Sequence, residues 1–188
     1  FLFKHQIGFF VRIGQLYGVS AGTVLRMALP PLQKRKLSQI KFYQIKAGVS
    51  EHTTRPTYAF YSSKLEHEEV YCAVSANTLI IVPEIRHIDE VLQLLPDTFR
   101  EETLIWSSRL SVKQQFEGWV AVRNSEKKII LGTRSAVFLP FTGLDRIIID
   151  FEHDDNLKHW DQAPRFHARD VCELLAQEHA AQIVYASF

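Results

Sequence analysis

Short apolar runs alternate with amphipathic stretches along the chain from Pro56 onward. The runs at 78–82, 103–106, 128–131, 146–149 and 182–186 consist largely of Ile, Val and Leu, and we predict that they are buried strands. The amphipathic stretches between 83 and 95, 111 and 122, and 164 and 177 predict helices. Continuous apolar strands separated by helices indicate an α/β fold, with a mostly parallel sheet covered by helices on both faces.

The first part of the chain has a different pattern. Residues 1–29 are apolar and helix-like, with a break near Gly18, and Ser20 is a candidate N-cap for a second helix over 21–28. Pro30 and Pro31 end that helix, and residues 32–55 are basic and polar, as expected of a linker. We therefore expect a helical basic segment and linker over 1–50, followed by an α/β domain over 51–188.

Charge is distributed unevenly, although the formal net charge is only +1. The first 50 residues contain no acidic residue, so all 21 acidic residues lie beyond them. Lys34, Arg35 and Lys36 form the densest basic cluster in that first segment. A basic segment of this kind is suited to contact the phosphate backbone of DNA, and the alternative is a solvated linker.

Cysteine content and hydropathy exclude several classes of protein. Cys72 and Cys172 are isolated, which argues against a structural zinc site and favours reduced thiols in a cytoplasmic protein. No apolar run approaches the roughly 18 residues of a membrane span, so we expect no membrane partner. Because the chain begins with Phe1 and stops after an apolar stretch, we interpret it as a fragment.

Ligands of parallel sheets bind at the carboxyl ends of the strands, so the residues after each strand are candidates for function. Asp150 follows 147–149 directly, in the form of a Walker B carboxylate that holds Mg²⁺, although such an aspartate can also cap a turn. Thr133, Arg134 and Ser135 follow another strand and offer amide, hydroxyl and guanidinium groups to a phosphate, although an ordinary tight turn has a similar sequence.

The stretch from 150 to 170 is rich in aspartate and histidine. It contains His153, His159 and His167 among several carboxylates, so one interpretation is a divalent-metal site for hydrolysis. The spacings match no metal-binding signature, and exposed loops of this composition are common. A metal-dependent hydrolase is therefore a third-ranked hypothesis.

Five segments, in the same order, resemble the PriA (primosomal protein N′) family of replication-restart DNA helicases. They read GVSAGTVLRMALPPL at 18–32, VPEI at 82–85, GTRSAVFLPF at 132–141, IIIDFEHD at 147–154 and PRFHARD at 164–170. The resemblance implies the pre-helicase segment and the RecA-like first lobe of a superfamily 2, DEAH-like helicase. It also implies ATP and Mg²⁺ as cofactors, and forked or single-stranded DNA, single-stranded-DNA-binding protein and primosome components as partners.

The nucleotide-binding loop departs from this family. Where the family has GxTGSGKT, the chain has Ser62, Ser63 and Lys64, with no glycine and no hydroxyl residue after the lysine. Glycines let the backbone amides approach the phosphates, and the hydroxyl is a usual Mg²⁺ ligand. These three residues are the cofactor-binding candidates, but the resemblance predicts weak binding.

The catalytic motif departs as well. The resemblance to DEEH assigns catalytic positions to Asp150, Glu152 and His153, with Asp150 as the Mg²⁺-associated carboxylate. The residue that should orient the attacking water is Phe151, which accepts no proton. On an extended chain Glu152 would point to the opposite side, so we do not expect it to substitute.

The leading hypothesis is a divergent PriA-like lobe that binds DNA at stalled forks, with ATPase activity weakened or lost. The alternative is an active ATP-dependent 3′–5′ DNA helicase with an unusual nucleotide loop, so whether the chain is an enzyme stays open. The DNA-binding candidates are Lys34, Arg35, Lys36, Thr133, Arg134 and Ser135.

Overall fold

A computed structural model describes residues 2, 4–30, 55–72, 74 and 77–188. The basic cluster Lys34, Arg35 and Lys36, and most of the predicted linker, lie outside the described residues.

Six strands form one sheet in the described part of the chain, in the order β1-β6-β5-β2-β4-β3, and every pairing is parallel. The strands are β1 Thr57–Phe60, β2 Thr78–Ile81, β3 Leu104–Trp106, β4 Ile129–Gly132, β5 Arg146–Ile149 and β6 Gln182–Ser187. The α/β prediction with a parallel sheet is confirmed. β1 was not identified from the sequence, because its four residues include no run of branched apolar side chains.

The helices are α1 Lys4–Leu16, α2 Ala21–Ala28, α3 Lys64–Cys72, α4 Arg86–Leu94, α5 Asp97–Arg100, α6 Val112–Arg123 and α7 Ala168–His179. Gly18 follows α1 with a φ of +63°, a conformation that suits glycine, and the Ser20 side chain then caps α2 by accepting from the amide of Thr23. Ser111 and Gln114 form a capping box at the start of α6.

The central strands are apolar throughout because the sheet has a hydrophobic core on each face. In β2, Leu79 and Ile81 belong to the core that includes α1, α2, α6 and α7, whereas Ile80 belongs to the core on the α3 and α4 side. Trp119 of α6 is buried and donates its indole N–H to the carbonyl oxygen of Ala28 at 2.8 Å, which ties α2 to the first core.

The last helix begins later than the sequence pattern indicates. A start at Pro164 is wrong, because α7 begins at Ala168. Residues 161–164 form bends instead, His167 pairs with Lys158 in an isolated antiparallel bridge, and the amide of His159 donates to the carbonyl oxygen of Phe166 at 2.7 Å. The imidazole of His167 then caps α7 by accepting from the amide of Arg169.

None of the helices that the structure describes is both long and apolar enough to span a membrane.

Candidate functional site

The candidate residues that follow the central strands lie at one edge of the sheet. In the strand register Ile81 is opposite Gly132 on one side and Ile149 on the other, so Gly132 and Ile149 lie at the same level with β2 between them, and Asp150 follows one residue later. The Gly132–Ser135 turn and the Asp150 segment are therefore both at the carboxyl edge, as predicted from the order of the elements. Two clefts open along this edge.

The first, which we call the arginine cleft, has a volume of about 540 Å³ and lies at the ends of β2, β3 and β4. Its lining brings together three of the segments that follow strands. The polar side chains that line it are Glu84, Arg86, Ser108, Arg109, Thr133, Arg134, Ser135 and His159. Sequence reasoning identified Thr133, Arg134 and Ser135, but it did not identify Arg86 and Arg109.

The arginines of this cleft differ in how they are held. Arg134 is half-buried and donates to the carbonyl oxygen of Asn156 at 3.1 Å, which fixes its direction. Arg86 is exposed and pairs with Glu84 at 3.1 Å. Arg109 is exposed on the loop after β3. The cleft therefore offers guanidinium groups and hydroxyls to an anionic ligand.

Gly132 allows the arginine cleft to form. A β-carbon at this position would lie 2.5 Å from the carbonyl oxygen of Trp106, a separation that real structures do not tolerate. The same carbonyl accepts from the amide of Thr133 at 3.1 Å, so the turn is held directly against the end of β3. The glycine is required because two strand ends approach this closely.

The second, which we call the aromatic cleft, has a volume of about 530 Å³ and lies where β1 leads into α3. It is lined by Tyr61, Ser62, Ser63, Lys64, His67, Glu90, Gln93, Leu94, Phe151 and Phe188. The cofactor-binding candidates Ser62, Ser63 and Lys64 are thus brought together with Phe151, as the family resemblance implies.

Asp150 lies behind this cleft, fully buried. Its carboxylate accepts from the hydroxyl of Tyr61 at 2.9 Å, from Nε2 of His67 at 2.5 Å and from the hydroxyl of Tyr71. Its Oδ1 also accepts from the amide of Phe151 at 2.8 Å. Burial raises the pKa of both tyrosines, and the charge of Asp150 adds to that increase, so their hydroxyls remain protonated donors.

This arrangement bears on a metal role for Asp150. Its two oxygens already accept four hydrogen bonds, which is close to the full acceptor capacity of a carboxylate. Within the described residues, no group of three His, Cys, Asp or Glu side chains is placed to hold a metal ion. Sequence reasoning identified Asp150 but could not identify its partners in and before α3.

The loop at the start of α3 already holds a carboxylate. Glu66 accepts from the amide of Ser62 at 2.6 Å and from its hydroxyl at 2.9 Å, and these bonds lower the pKa of Glu66. The amide of Glu66 in turn donates to the hydroxyl of Ser63 at 3.3 Å. Lys64 is directed outward, with its ammonium 3.9 Å from Glu68. The Ser63-x-x-Glu66 spacing is the sequence signal that could have revealed the contact between Ser63 and Glu66.

The residues after Asp150 do not continue in an extended conformation. Phe151 has a φ of +53° and is buried, so the expectation of an extended chain at this point is wrong. Glu152 forms an ion pair with Arg169 of α7 instead of facing the aromatic cleft. Nδ1 of His153 is 2.8 Å from the hydroxyl of Ser187.

The other histidines of the Asp/His-rich stretch have separate local contacts. Nδ1 of His159 lies 3.2 Å from the carbonyl oxygen of Pro164, and His167 caps α7. The structure therefore does not bring His159 and His167 to a common site with His153.

Comparison with known proteins identifies a consistent set of relatives. No protein-family model matches the chain. The chain is similar to the replication restart protein PriA of Helicobacter pylori (strain J99), with 31% identity over 206 residues, covering 100% of the chain and 33% of that protein. It is also 30% identical to the PriA of Bacillus subtilis over 123 residues, which cover 65% of the chain and 15% of that protein. The Haemophilus influenzae PriA is 35% identical over 114 residues, which cover 61% of the chain and 16% of that protein. The chain thus spans about a third or less of the length of these relatives.

Proposed function

The chain belongs to the PriA family of replication restart proteins, and we propose that it is a DNA-contacting motor lobe whose ATPase activity is weakened or lost. In this proposal it acts in replication restart, on forked or single-stranded DNA, together with single-stranded-DNA-binding protein and primosome components. The convergence of three strand ends on the arginine cleft is the observation that carries the proposal.

The composition of the arginine cleft supports binding to a phosphate backbone. Arg109 and Arg134 come from two different segments, so their positive charge is distributed along the cleft, whereas Arg86 is paired with Glu84. Thr133 and Ser135 add hydroxyls beside them. Side chains of these types supply most phosphate contacts in protein–DNA complexes. Lys34, Arg35 and Lys36 are proposed to contact DNA as well.

The residues of the aromatic cleft do not fit a Mg²⁺–triphosphate. The amide and hydroxyl of Ser62, which would face a phosphate, are bonded to Glu66, and Lys64 lies beside Glu68. Asp150 is enclosed by its hydrogen-bond donors. A triphosphate would have to displace a carboxylate and then lie next to the remaining negative charge.

DNA binding can be tested by fluorescence anisotropy with labelled single-stranded and forked oligonucleotides across a salt series. We expect Arg109→Ala and Arg134→Ala each to weaken binding. Each variant should also reduce the slope of log K against log salt by about 0.7 for every single-strand phosphate that it no longer neutralises. Lys128→Ala is the matched control, because Lys128 is exposed directly before β4 and so lies at the opposite edge of the sheet. Equally weakened binding in the control and in the arginine variants would contradict the proposal.

The basic cluster needs a separate measurement. Changing Lys34, Arg35 and Lys36 together to alanine should weaken binding and reduce the salt dependence by the same mechanism. Salt-independent binding, or an unchanged affinity in this triple variant, would exclude a role for the cluster.

Loss of hydrolysis can be tested by DNA-stimulated ATPase turnover of the full-length protein. We expect turnover at the background level, and no further decrease in Asp150→Asn. Robust turnover of the unmodified protein would instead establish the alternative, an active helicase with an unusual nucleotide loop.

A further inference from the structure

One carboxylate lies among the cations of the arginine cleft. Of the described residues that line this cleft, Glu84 is the only acid, and it stands with three arginines. It is half-buried in the loop between β2 and α4. A negative charge at this position repels an anionic ligand. The contacts of Glu84 show what this charge does in the free protein.

Two donors hold Glu84 by a single oxygen. Its Oε1 accepts from the guanidinium of Arg86 at 3.1 Å and from the side-chain amide of Asn156 at 3.0 Å. Within the described residues its Oε2 accepts no hydrogen bond. The contact with Arg86 is therefore one N–H···O bond instead of the stronger two-bond arrangement, and the Arg86 side chain is 70% exposed. Another anion can readily replace a carboxylate that is held in this way.

Asn156 joins this ion pair to a second arginine of the cleft. Its backbone carbonyl accepts from the guanidinium of Arg134 at 3.1 Å, while its side chain donates to Glu84. Its own backbone amide donates to the carboxylate of Asp154 at 2.8 Å, which fixes the loop. One residue thus orients both Arg134 and the acid that neutralises Arg86.

The three arginines consequently differ in charge compensation. In the part of the chain that the structure describes, Arg86 contacts a carboxylate, whereas Arg109 and Arg134 do not. Phosphate and carboxylate oxygens bind a guanidinium in the same way, so a phosphate can take the place of Glu84. A strand already bound by Arg109 and Arg134 presents its other phosphates to Arg86 at a high effective concentration, and an isolated anion lacks this advantage.

We propose that Glu84 is an internal competitor of the DNA backbone and determines the specificity of the arginine cleft. In the free protein it occupies Arg86, and a phosphate of the bound strand takes its place. The cleft thereby favours a continuous strand over isolated anions such as inorganic phosphate. This inference rests on the proposed DNA-contacting function and adds to it how the cleft selects its ligand.

Glu84→Gln tests this competition in fluorescence anisotropy titrations of a labelled single-stranded oligonucleotide across a salt series. Glutamine can still accept from Asn156, but it does not neutralise Arg86. Binding should tighten about fivefold, which corresponds to the upper end of the free energy of an exposed ion pair. The slope of log K against log salt should steepen by about 0.7, because the phosphate at Arg86 then releases its counterion without leaving a carboxylate that takes one up.

Glu102→Gln is the matched control. It removes the same charge at an exposed position two residues before β3, and so at the opposite edge of the sheet from the arginine cleft. Its affinity should stay within about twofold of that of the unmodified chain, with the same salt slope, because charges beyond about 10 Å are largely screened. Thermal unfolding midpoints verify that both variants are folded.

Two further measurements distinguish competition from a structural role of Glu84. Arg86→Ala should weaken binding less in the unmodified chain, where the phosphate only replaces Glu84, than in Glu84→Gln, where the phosphate contact is a net gain. At matched ionic strength, inorganic phosphate should have a lower inhibition constant against the oligonucleotide in Glu84→Gln than in the unmodified chain. Equal inhibition constants would overturn the selectivity for a continuous strand.

The outcomes separate this inference from the proposed function. Unchanged or weaker binding in Glu84→Gln would overturn the inference and leave the DNA-contacting role in place, because Arg109→Ala and Arg134→Ala test that role independently. Equal tightening in Glu84→Gln and Glu102→Gln would overturn it as well, since net charge alone would explain the gain. Additive effects of Arg86→Ala and Glu84→Gln would exclude the exchange at Arg86. Absence of measurable DNA binding in both the unmodified chain and Glu84→Gln would overturn the inference and the proposed function together.

Discussion

Removal of the Asp150 carboxylate tests whether this residue now serves the fold and not a metal ion. In Asp150→Ala, the buried hydroxyl of Tyr71 and the ring nitrogen of His67 lose the acceptor to which they now donate. Breaking one side of a buried charged cluster costs about 3–5 kcal/mol, because the remaining polar groups stay desolvated without a partner. Tyr71→Phe removes a single bond to a charged group and should cost about 1.5–3 kcal/mol.

The assay is equilibrium unfolding in urea, followed by far-UV circular dichroism and by tryptophan fluorescence. For a chain of 188 residues, a loss of 1 kcal/mol corresponds to roughly 2–4 °C in Tm, so Asp150→Ala should also lower Tm by roughly 6–20 °C. Asp97→Ala is the control, because that side chain is 90% exposed in an ion pair with Arg100 and should change stability by less than about 1 kcal/mol.

A metal or catalytic role makes the opposite prediction. A carboxylate whose role is to bind a ligand does not stabilise the fold, or destabilises it, while the ligand is absent. Its removal would therefore leave the free energy of unfolding unchanged or increase it. If Asp150→Ala unfolds within about 1 kcal/mol of the unmodified chain, the argument that Asp150 joins the end of β5 to α3 is refuted.

Three further predictions concern the framework around the site. Gly132→Ala should cost about 1–3 kcal/mol in unfolding free energy and weaken DNA binding, because the new β-carbon displaces the turn from the carbonyl of Trp106. Trp119→Phe removes the indole N–H bond to Ala28, so amide hydrogen exchange in α2 should accelerate while exchange in the central strands changes less. Burial lowers the pKa of His179 to about 4. Between about pH 6.5 and 4 the unfolded chain is therefore protonated at this histidine while the folded chain is not, so the free energy of unfolding should decrease as the pH falls through this interval. A His179→Gln variant should show a flatter pH dependence over that interval, and an unchanged profile would exclude His179 as its source.

Part of the candidate site could be predicted from the sequence, because the strands and turns that carry it have local sequence signals. The apolar runs identified the central strands, since their side chains are buried on both faces of the sheet. The rule that parallel strands present ligands at their carboxyl ends then placed Asp150 and the Gly132–Ser135 turn on one edge, and the strand register agrees with this placement. Ser20 was recognised as a helix cap for the same reason, because a cap depends on residues about three positions apart.

The tertiary structure alone decided what surrounds these residues. Tyr61, His67 and Tyr71 lie 89, 83 and 79 positions before Asp150, and no local spacing relates them to it. They meet because β1 is an edge strand two positions away from β5 in the sheet. The chain then enters α3, which packs on the same face of the sheet as Ile148 of β5. Hydrogen bonding and burial between such distant segments depend on the order of the strands, which apolar periodicity does not encode. The sequence therefore determined which residues line the edge of the sheet, and packing determined that the Asp150 carboxylate is enclosed there by a histidine and two tyrosines.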